Sequence, residues 1–325
     1  MTGPLDSFRR SIDYLRISVT DRCNLRCIYC MPLEGVPQMP HSELLSYEEI
    51  QTVVRAAAEL GVNKVRLTGG EPLVRAELPK LVSMLSQIEG IGELSLTTNG
   101  VFLKRYALEL KQAGLSRVNV SLDTLKADKF RRITRLGELQ SVLEGIEAAK
   151  KTGFKPVKIN TVVMRGINDD EILDFARLTY EEGWHVRFIE LMPFKSVVEF
   201  VPSIELRQHI SLLGKLEPCA SITGNGPATY YCLSGARGTI GFISPLTEIS
   251  FCSSCNRMRL TSDGKLRPCL LGEDEIDLKT PLRNNASIDE LKNLILKAVA
   301  SKPEHHHLNE VIARLVNRKM SQIGG

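Results

Sequence analysis

Three cysteines fall within the stretch CNLRCIYC: Cys23, Cys27 and Cys30, spaced C-x3-C-x2-C. Three thiolates on one loop match a four-iron, four-sulfur cluster in which three irons take a thiolate and one takes none. That iron is free to bind an exchangeable small molecule. A closed zinc site normally has four protein ligands, so zinc here would need a distant partner such as Cys219. A second triplet, Cys252, Cys255 and Cys269, is spaced C-x2-C-x13-C. Its spacing alone fits two occupants equally: zinc completed by Cys232, Cys219 or a histidine, and an iron–sulfur cluster. Arg257 and Arg259 follow it two residues apart, and in a strand they share a face. Two guanidinium forks beside a cluster with an open iron make a site for an anion or a nucleobase. Cys219 and Cys232 lie apart from both triplets and read as ordinary buried thiols.

The elements that must position these groups alternate between short β-rich runs and longer helical ones. Strands are expected over 14–20, 64–69, 93–99, 117–123, 157–163 and 186–192, with helices between them. Ser46 and Glu49 read as a capping box for a helix that stops at Gly61, and residues 75–88 read as the next helix despite Pro79. Six β-α units argue for an α/β fold, a partial (β/α)6 TIM-type barrel, with a smaller C-terminal α+β region. The expected division is 1–215 for the barrel and 216–325 for the appended region. Two hairpins are expected in the latter, one joining ATYYCLSG to GTIGFIS and one turning at Asp263-Gly264. An amphipathic helix over 287–302 follows. The strands end in TDRCNLRC, TGGEP, TTNG and SLD. Barrel active sites sit at such ends, so these four stretches should face one cavity.

The 325-residue chain carries a formal net charge of +4, with 43% hydrophobic and 25% charged residues. That balance suits a globular protein with a sizeable core and does not imply a nucleic-acid partner. No signal-peptide core and no run of about 18 apolar residues occurs, so a cytoplasmic protein with no membrane span is expected. Eight cysteines in that compartment point to metal ligands or catalytic thiols rather than disulfides.

CNLRCIYC together with TGGEP at 68–72 resembles the radical S-adenosylmethionine enzymes. In that superfamily the amino and carboxylate groups of S-adenosylmethionine chelate the open iron. One electron then breaks a sulfur–carbon bond to give a 5′-deoxyadenosyl radical, which takes a hydrogen from the substrate. A longer set resembles one branch from residue 8 to 325: YLRISVTDRCNLRCIYCMP, VRLTGGEPLVR, TTNG, VNVSLDTL, KINTVVMRGIND, RFIELMP, GPATYY, CSSCNRMRLTSDGKLRPCL and the closing MSQIGG. That branch is the GTP 3′,8-cyclases, the molybdenum cofactor biosynthesis protein A family.

The resemblance implies a lyase that removes hydrogen from C3′ of GTP and joins that carbon to C8 of guanine. The product, 3′,8-cyclo-7,8-dihydro-GTP, would pass to a cyclic pyranopterin monophosphate synthase. It implies two [4Fe-4S] clusters, on Cys23, Cys27 and Cys30 and on Cys252, Cys255 and Cys269, with guanine on the open iron of the second. Tyr29, Gly70, Ser121 and Met192 would contact S-adenosylmethionine. Arg16, Arg66, Thr97, Lys158, Arg257 and Arg259 would contact GTP, with Lys64 and Arg187 as further partners. The Gly324-Gly325 tail would enter the active site and share in catalysis. An electron donor such as flavodoxin or ferredoxin, and a monomer or homodimer, complete the expectation.

Elementary electrostatics agrees with the list. Arg16, Lys64, Arg66, Lys158 and Arg187 all lie on expected strands, where alternate side chains point into a barrel. Cations there are costly unless an anion meets them, and a triphosphate supplies about four negative charges. Two other readings compete: a radical S-adenosylmethionine enzyme acting on a peptide, and a non-catalytic metal module with zinc in the second site. The first has no need of the barrel cations. Iron and sulfide counting separates the second.

Overall fold

The computed structural model describes residues 3–192, 199–220, 224, 226–306 and 320–324. The six expected strands form: β1 (Tyr14–Ser18), β2 (Lys64–Thr68), β3 (Glu93–Thr98), β4 (Arg117–Ser121), β5 (Val157–Val163) and β6 (His185–Glu190). They pair in parallel and in chain order. Helices α1 (Tyr47–Glu59), α2 (Leu78–Ser86), α3 (Leu103–Gln112), α4 (Ala127–Thr134), α5 (Leu139–Lys151) and α6 (Ile172–Glu181) occupy the connections, α7 (Ser203–Ile210) follows β6, and a short α8 (Lys279–Arg283) lies nearer the C-terminus.

Local chemistry sets the helix ends. The Ser46 side chain accepts from the Glu49 N–H while Glu49 accepts from the Ser46 N–H, completing the capping box of α1. The helix expected over 75–88 is shorter. It begins at Leu78, which places Pro79 in the first turn, where its missing N–H costs nothing.

The remaining strands are β7 (Leu216–Pro218), β8 (Thr229–Leu233), β9 (Ile240–Ile243), β10 (Arg257–Leu260), β11 (Lys265–Arg267) and β12 (Ile276–Asp277). Both hairpins form, β8 with β9 and β10 with β11. They do more than pair with themselves. β9 adds in parallel beside β6, and β10 adds in parallel beside β1. One sheet therefore runs β12-β11-β10-β1-β2-β3-β4-β5-β6-β9-β8-β7.

The parallel strands have two unlike faces. Leu15, Ile17, Val65, Leu67, Leu94, Leu96, Val118, Val120, Ile159, Val186 and Phe188 join the helices in one hydrophobic cluster. Met258 and Leu260 of β10 and Leu291 and Ile295 of α9 (Ile288–Ala300) belong to the same cluster. With the period of two, the alternate residues line the inner face, and those are polar. No helix among the described residues is long and apolar enough to cross a membrane.

Candidate active site

Strand register turns the polar face into rungs. One rung runs Arg259–Arg16–Arg66–Ser95–Arg117. A second runs Thr97–Asn119–Lys158–His185, and a third Ser121–Asn160–Arg187–Gly241. Six of the eight residues expected to contact GTP are on these rungs, and Arg257 lies one inward step below Arg259. Lys64 begins β2 and is engaged by Asp13 at 2.7 Å.

The cations are buried. Arg66, Lys158, Arg187, Arg257 and Arg259 are each below 9% exposed, and Arg16 is half-buried. Among the described residues, Arg66, Arg187, Arg257 and Arg259 form no ion pair with a carboxylate. Arg66 donates to Ser95 Oγ at 3.1 Å, and Lys158 donates to Tyr230 OH at 3.1 Å. Among the described residues, the Arg187 Nε and one terminal nitrogen, one Arg257 terminal nitrogen and the Arg259 Nε have no protein partner within hydrogen-bond distance. Burial, then Arg187, Arg117 and Arg66, brings Lys158 down to about 7. Burial likewise holds Arg187 at about 10, and burial with Arg257 holds Arg259 at about 10. Buried guanidiniums that repel one another and keep N–H groups unsatisfied fit an anionic ligand. Arg66, Arg117, Lys158, Arg187, Glu93 and Tyr230 are among the residues that line one small pocket on this face.

The two thiol triplets lie at opposite ends of β1. Cys23, Cys27 and Cys30 follow its C-terminal end. Cys252 and Cys255 precede β10, whose Arg257 is level with Tyr14 at the start of β1. The length of β1, roughly 13 Å at 3.3 Å per residue, therefore separates the levels of the two groups, with the arginine rung between.

In the first triplet, the Cys30 N–H donates to Cys27 C=O at 2.9 Å, and the Leu25 N–H donates to Cys23 Sγ at 3.4 Å. Burial raises Cys23 to about 11, and burial followed by Asp123, Cys30 and Cys23 raises Cys27. Thiolates buried beside one another and beside Asp123 need compensating positive charge, which iron would supply. In the second triplet, burial would also raise Cys255. Arg257 and Lys302 outweigh it and bring the thiol down to about 6. Arg257 donates to Cys255 Sγ at 3.4 Å. Among the described residues, no three His, Cys, Asp or Glu side chains are gathered to hold a single metal ion.

The residues expected around S-adenosylmethionine gather at the C-terminal strand ends. Tyr29 donates to the buried Asp123 carboxylate at 2.7 Å. Ser121 ends β4, and the half-buried Met192 follows β6. A Cβ on Gly70 would meet the Arg22 carbonyl oxygen at 2.4 Å, so glycine lets TGGEP cross the start of the cysteine loop. That backbone crossing, not ligand approach alone, requires it.

The C-terminal tail enters the same space. Ser321 and Ile323 are buried, and Arg16 donates to the Gly324 carbonyl at 3.3 Å. Gly324 has φ +70°, and a Cβ there would come within 2.4 Å of Thr68 Oγ1. Gly325 lies outside the described residues.

Several residues at the site were not singled out from sequence. Arg117 pairs with Glu93 on the first rung, and the alternation Arg117, Asn119, Ser121 was the signal for it. Glu71 is fully buried behind Cys23 and accepts from Asn99 N, Thr98 Oγ1 and Leu73 N at 2.6–3.0 Å. Burial raises it to about 7, and raises Asp123 to about 6.

Comparison with known proteins agrees with this geometry. A family model described as the radical SAM superfamily matches residues 17–179, and one described as Molybdenum Cofactor Synthesis C matches 184–308. A GTP 3′,8-cyclase of Moorella thermoacetica is 54% identical over 98% of this chain and 99% of its own. Those of Pelotomaculum thermopropionicum and Desulforamulus reducens are 54% and 52% identical, each over at least 98% of both chains. Streptococcus suis SuiB bound to S-adenosylmethionine aligns with TM-score 0.61 at 14% identity, over 82% of this chain and 64% of SuiB. The chain thus spans just under two thirds of that protein. Native anSMEcpe with bound AdoMet aligns with TM-score 0.58 at 16% identity, over 91% and 82%. At such identities the likeness is one of fold. By the family models and the near full-length relatives together, the chain belongs to the radical SAM superfamily and, within it, to the GTP 3′,8-cyclase family.

Proposed function

We propose that this chain is the lyase that cyclises GTP to (8S)-3′,8-cyclo-7,8-dihydroguanosine 5′-triphosphate, the first step of molybdenum cofactor biosynthesis. The observation that carries the reading is the run of buried cations on the inner sheet face between two thiol triplets. Two [4Fe-4S] clusters and S-adenosylmethionine, when bound, supply the one-electron cleavage that yields a 5′-deoxyadenosyl radical and an open iron for the base. Cys23, Cys27 and Cys30 would hold the first cluster, and Cys252, Cys255 and Cys269 the second. Tyr29, Gly70, Ser121 and Met192 would line S-adenosylmethionine at the strand ends.

Arg16, Arg66, Lys158 and Arg187 would bind the triphosphate, each charged hydrogen bond contributing roughly 1.5–3 kcal/mol. Thr97 lies on the Lys158 rung, where it can reach the nucleotide, and Lys64 could join once released by Asp13. Arg257 and Arg259 would orient the guanine beside the second cluster. The Gly324-Gly325 tail would close the chamber against water next to Arg16. In this reading 1–215 carries the first cluster and S-adenosylmethionine, while 216–325 brings the second cluster and the tail. A low-potential flavodoxin or ferredoxin would deliver the electron, and a cyclic pyranopterin monophosphate synthase would take the product.

The test is anaerobic incubation of reconstituted protein with S-adenosylmethionine, dithionite and GTP, followed by mass analysis of the nucleotide. The cyclised product, isomeric in mass with GTP but chromatographically distinct, is expected. Formation of 5′-deoxyadenosine with GTP left unchanged, or equal turnover with ATP, would overturn the reading.

A further inference from the structure

Lys302 stands just beyond α9 and is only 3% exposed. A lysine that deep is costly unless its ammonium is fully used. Its Nζ donates to the Arg257 carbonyl at 2.8 Å and to the Pro268 carbonyl at 2.6 Å. It also lies within hydrogen-bonding reach of the Cys255 side chain.

These partners have a common geometry. β10 and β11 pair with Arg259 opposite Arg267. Continuing that register puts Arg257 opposite Cys269 at the open end of the hairpin. Lys302 therefore bridges the two arms where they part. On one arm it holds the carbonyl two residues after Cys255; on the other it holds the carbonyl just before Cys269. The segment bearing it is itself pinned. Arg10 donates to the carbonyls of Pro303 at 2.7 Å and Glu304 at 2.9 Å, and to that of Cys252 at 2.9 Å. One strap thus ties all three cysteines of the second triplet to the end of α9.

Charge adds a second role. A cluster held by three thiolates is net anionic and gains a further negative charge on reduction. A fixed, dry ammonium at its edge favours the reduced form.

We propose that Lys302 is a positioning residue for the second cluster, clamping the hairpin so that Cys255 and Cys269 keep their spacing and setting the cluster's affinity for an electron. The proposal rests on the reading of Cys252, Cys255 and Cys269 as cluster ligands, which iron and sulfide counting on the wild-type chain tests by itself.

The experiment is redox titration by electron paramagnetic resonance of the full chain, reconstituted anaerobically, as wild type, Lys302→Met and Lys302→Arg. The second-cluster signal is the one absent from Cys252→Ala; the first is the one that S-adenosylmethionine shifts. In Lys302→Met the second cluster is expected to titrate at a more negative potential, or to be lost so that iron falls from about eight to about four per chain. The first cluster stays unmoved, and Lys302→Arg restores the second toward wild type. Full iron with an unmoved second potential in Lys302→Met would overturn the proposal. So would equal loss in both variants, which would mark the site as one of shape and not of charge. Zinc with about four irons in the wild type would instead remove the reading of the triplet, and this proposal with it.

Discussion

Lys158 offers a quantitative probe of the chamber. Burial and then Arg187, Arg117 and Arg66 depress its ammonium to about 7, against an ordinary value of 10.5. A triphosphate beside it reverses the local charge and raises that value again. The sign follows. With the bound pKa above the free one, GTP binding takes up a proton, and affinity is fullest below pH 7. About half a proton is taken up at pH 7 and about 0.9 at pH 8. The Kd for GTP therefore rises about fivefold from pH 7 to 8 and up to tenfold over the next unit. Above pH 7 the phosphates are mostly ionised already, so they add little to that slope. Lys158→Met should weaken binding at pH 7 by one charged hydrogen bond, about 1.5–3 kcal/mol or roughly 10–150-fold, and should flatten the pH dependence. Isothermal titration of GTP into reconstituted protein, in buffers of differing ionisation heat, reads both Kd and proton uptake. A Kd that is flat from pH 7 to 9 in the wild type, or the same slope in Lys158→Met, would refute the placement of the triphosphate against this lysine.

Cys252→Ala should keep S-adenosylmethionine cleavage and lose cyclisation, with iron falling from about eight to about four per chain; full turnover by that variant would count against the second site. Gly324→Ala places a Cβ at 2.4 Å from Thr68 Oγ1 and at φ +70°, a backbone cost of about 1–2 kcal/mol before any clash. Cyclised product should fall at least about tenfold, while iron content and 5′-deoxyadenosine formation stay near wild type. Tyr29→Phe removes the 2.7 Å bond to the buried Asp123 carboxylate, worth about 1–3 kcal/mol. Equilibrium binding of S-adenosylmethionine should weaken roughly tenfold with both clusters retained, and unchanged binding would make that bond a purely structural one.

Much of the fold was legible because its signals are local. The six core strands follow from short β-branched runs, α1 from the capping box at Ser46, α9 from its amphipathic pattern, and the β10–β11 turn from Asp263-Gly264. The inner cations were legible for the same reason, since a strict period of two separates Arg16 and Arg66 from Leu15 and Val65. What local pattern could not give is which strand lies beside which at long range. β10 pairs with β1 across more than two hundred residues, and nothing near Arg257 announces Tyr14 as its neighbour. Lys302 was invisible for a related reason. A lysine after an amphipathic helix reads as solvated, and only the packing of α9 into the core turns it toward the hairpin mouth. Lys64 shows the reverse: its strand position was right, but the Asp13 that engages it sits just before β1, outside any strand pattern.

The chamber runs against the ordinary logic of a protein interior. Burial and mutual repulsion lower the pKa values of Arg16, Lys158, Arg187 and Arg259, so each of these groups destabilises the folded, unliganded chain while it stays charged. For Lys158 the sign is plain. Its folded value lies below its unfolded one, so the cost is absent above pH 10.5, grows as pH falls, and is fully present below about 7. At neutral pH that is several kcal/mol from one side chain. The surrounding sheet can bear it because its other face is continuous hydrophobic core. The same free energy is returned when an anion enters, and it is returned selectively. On the proposed reading a ligand with one negative charge would meet one rung, whereas a triphosphate would meet several while its base reached toward Arg257 and Arg259 beside the second triplet. Under that reading the electrostatic cost carried by the unliganded chain would be the physical source of both affinity and orientation, with the ribose held between the two cysteine triplets.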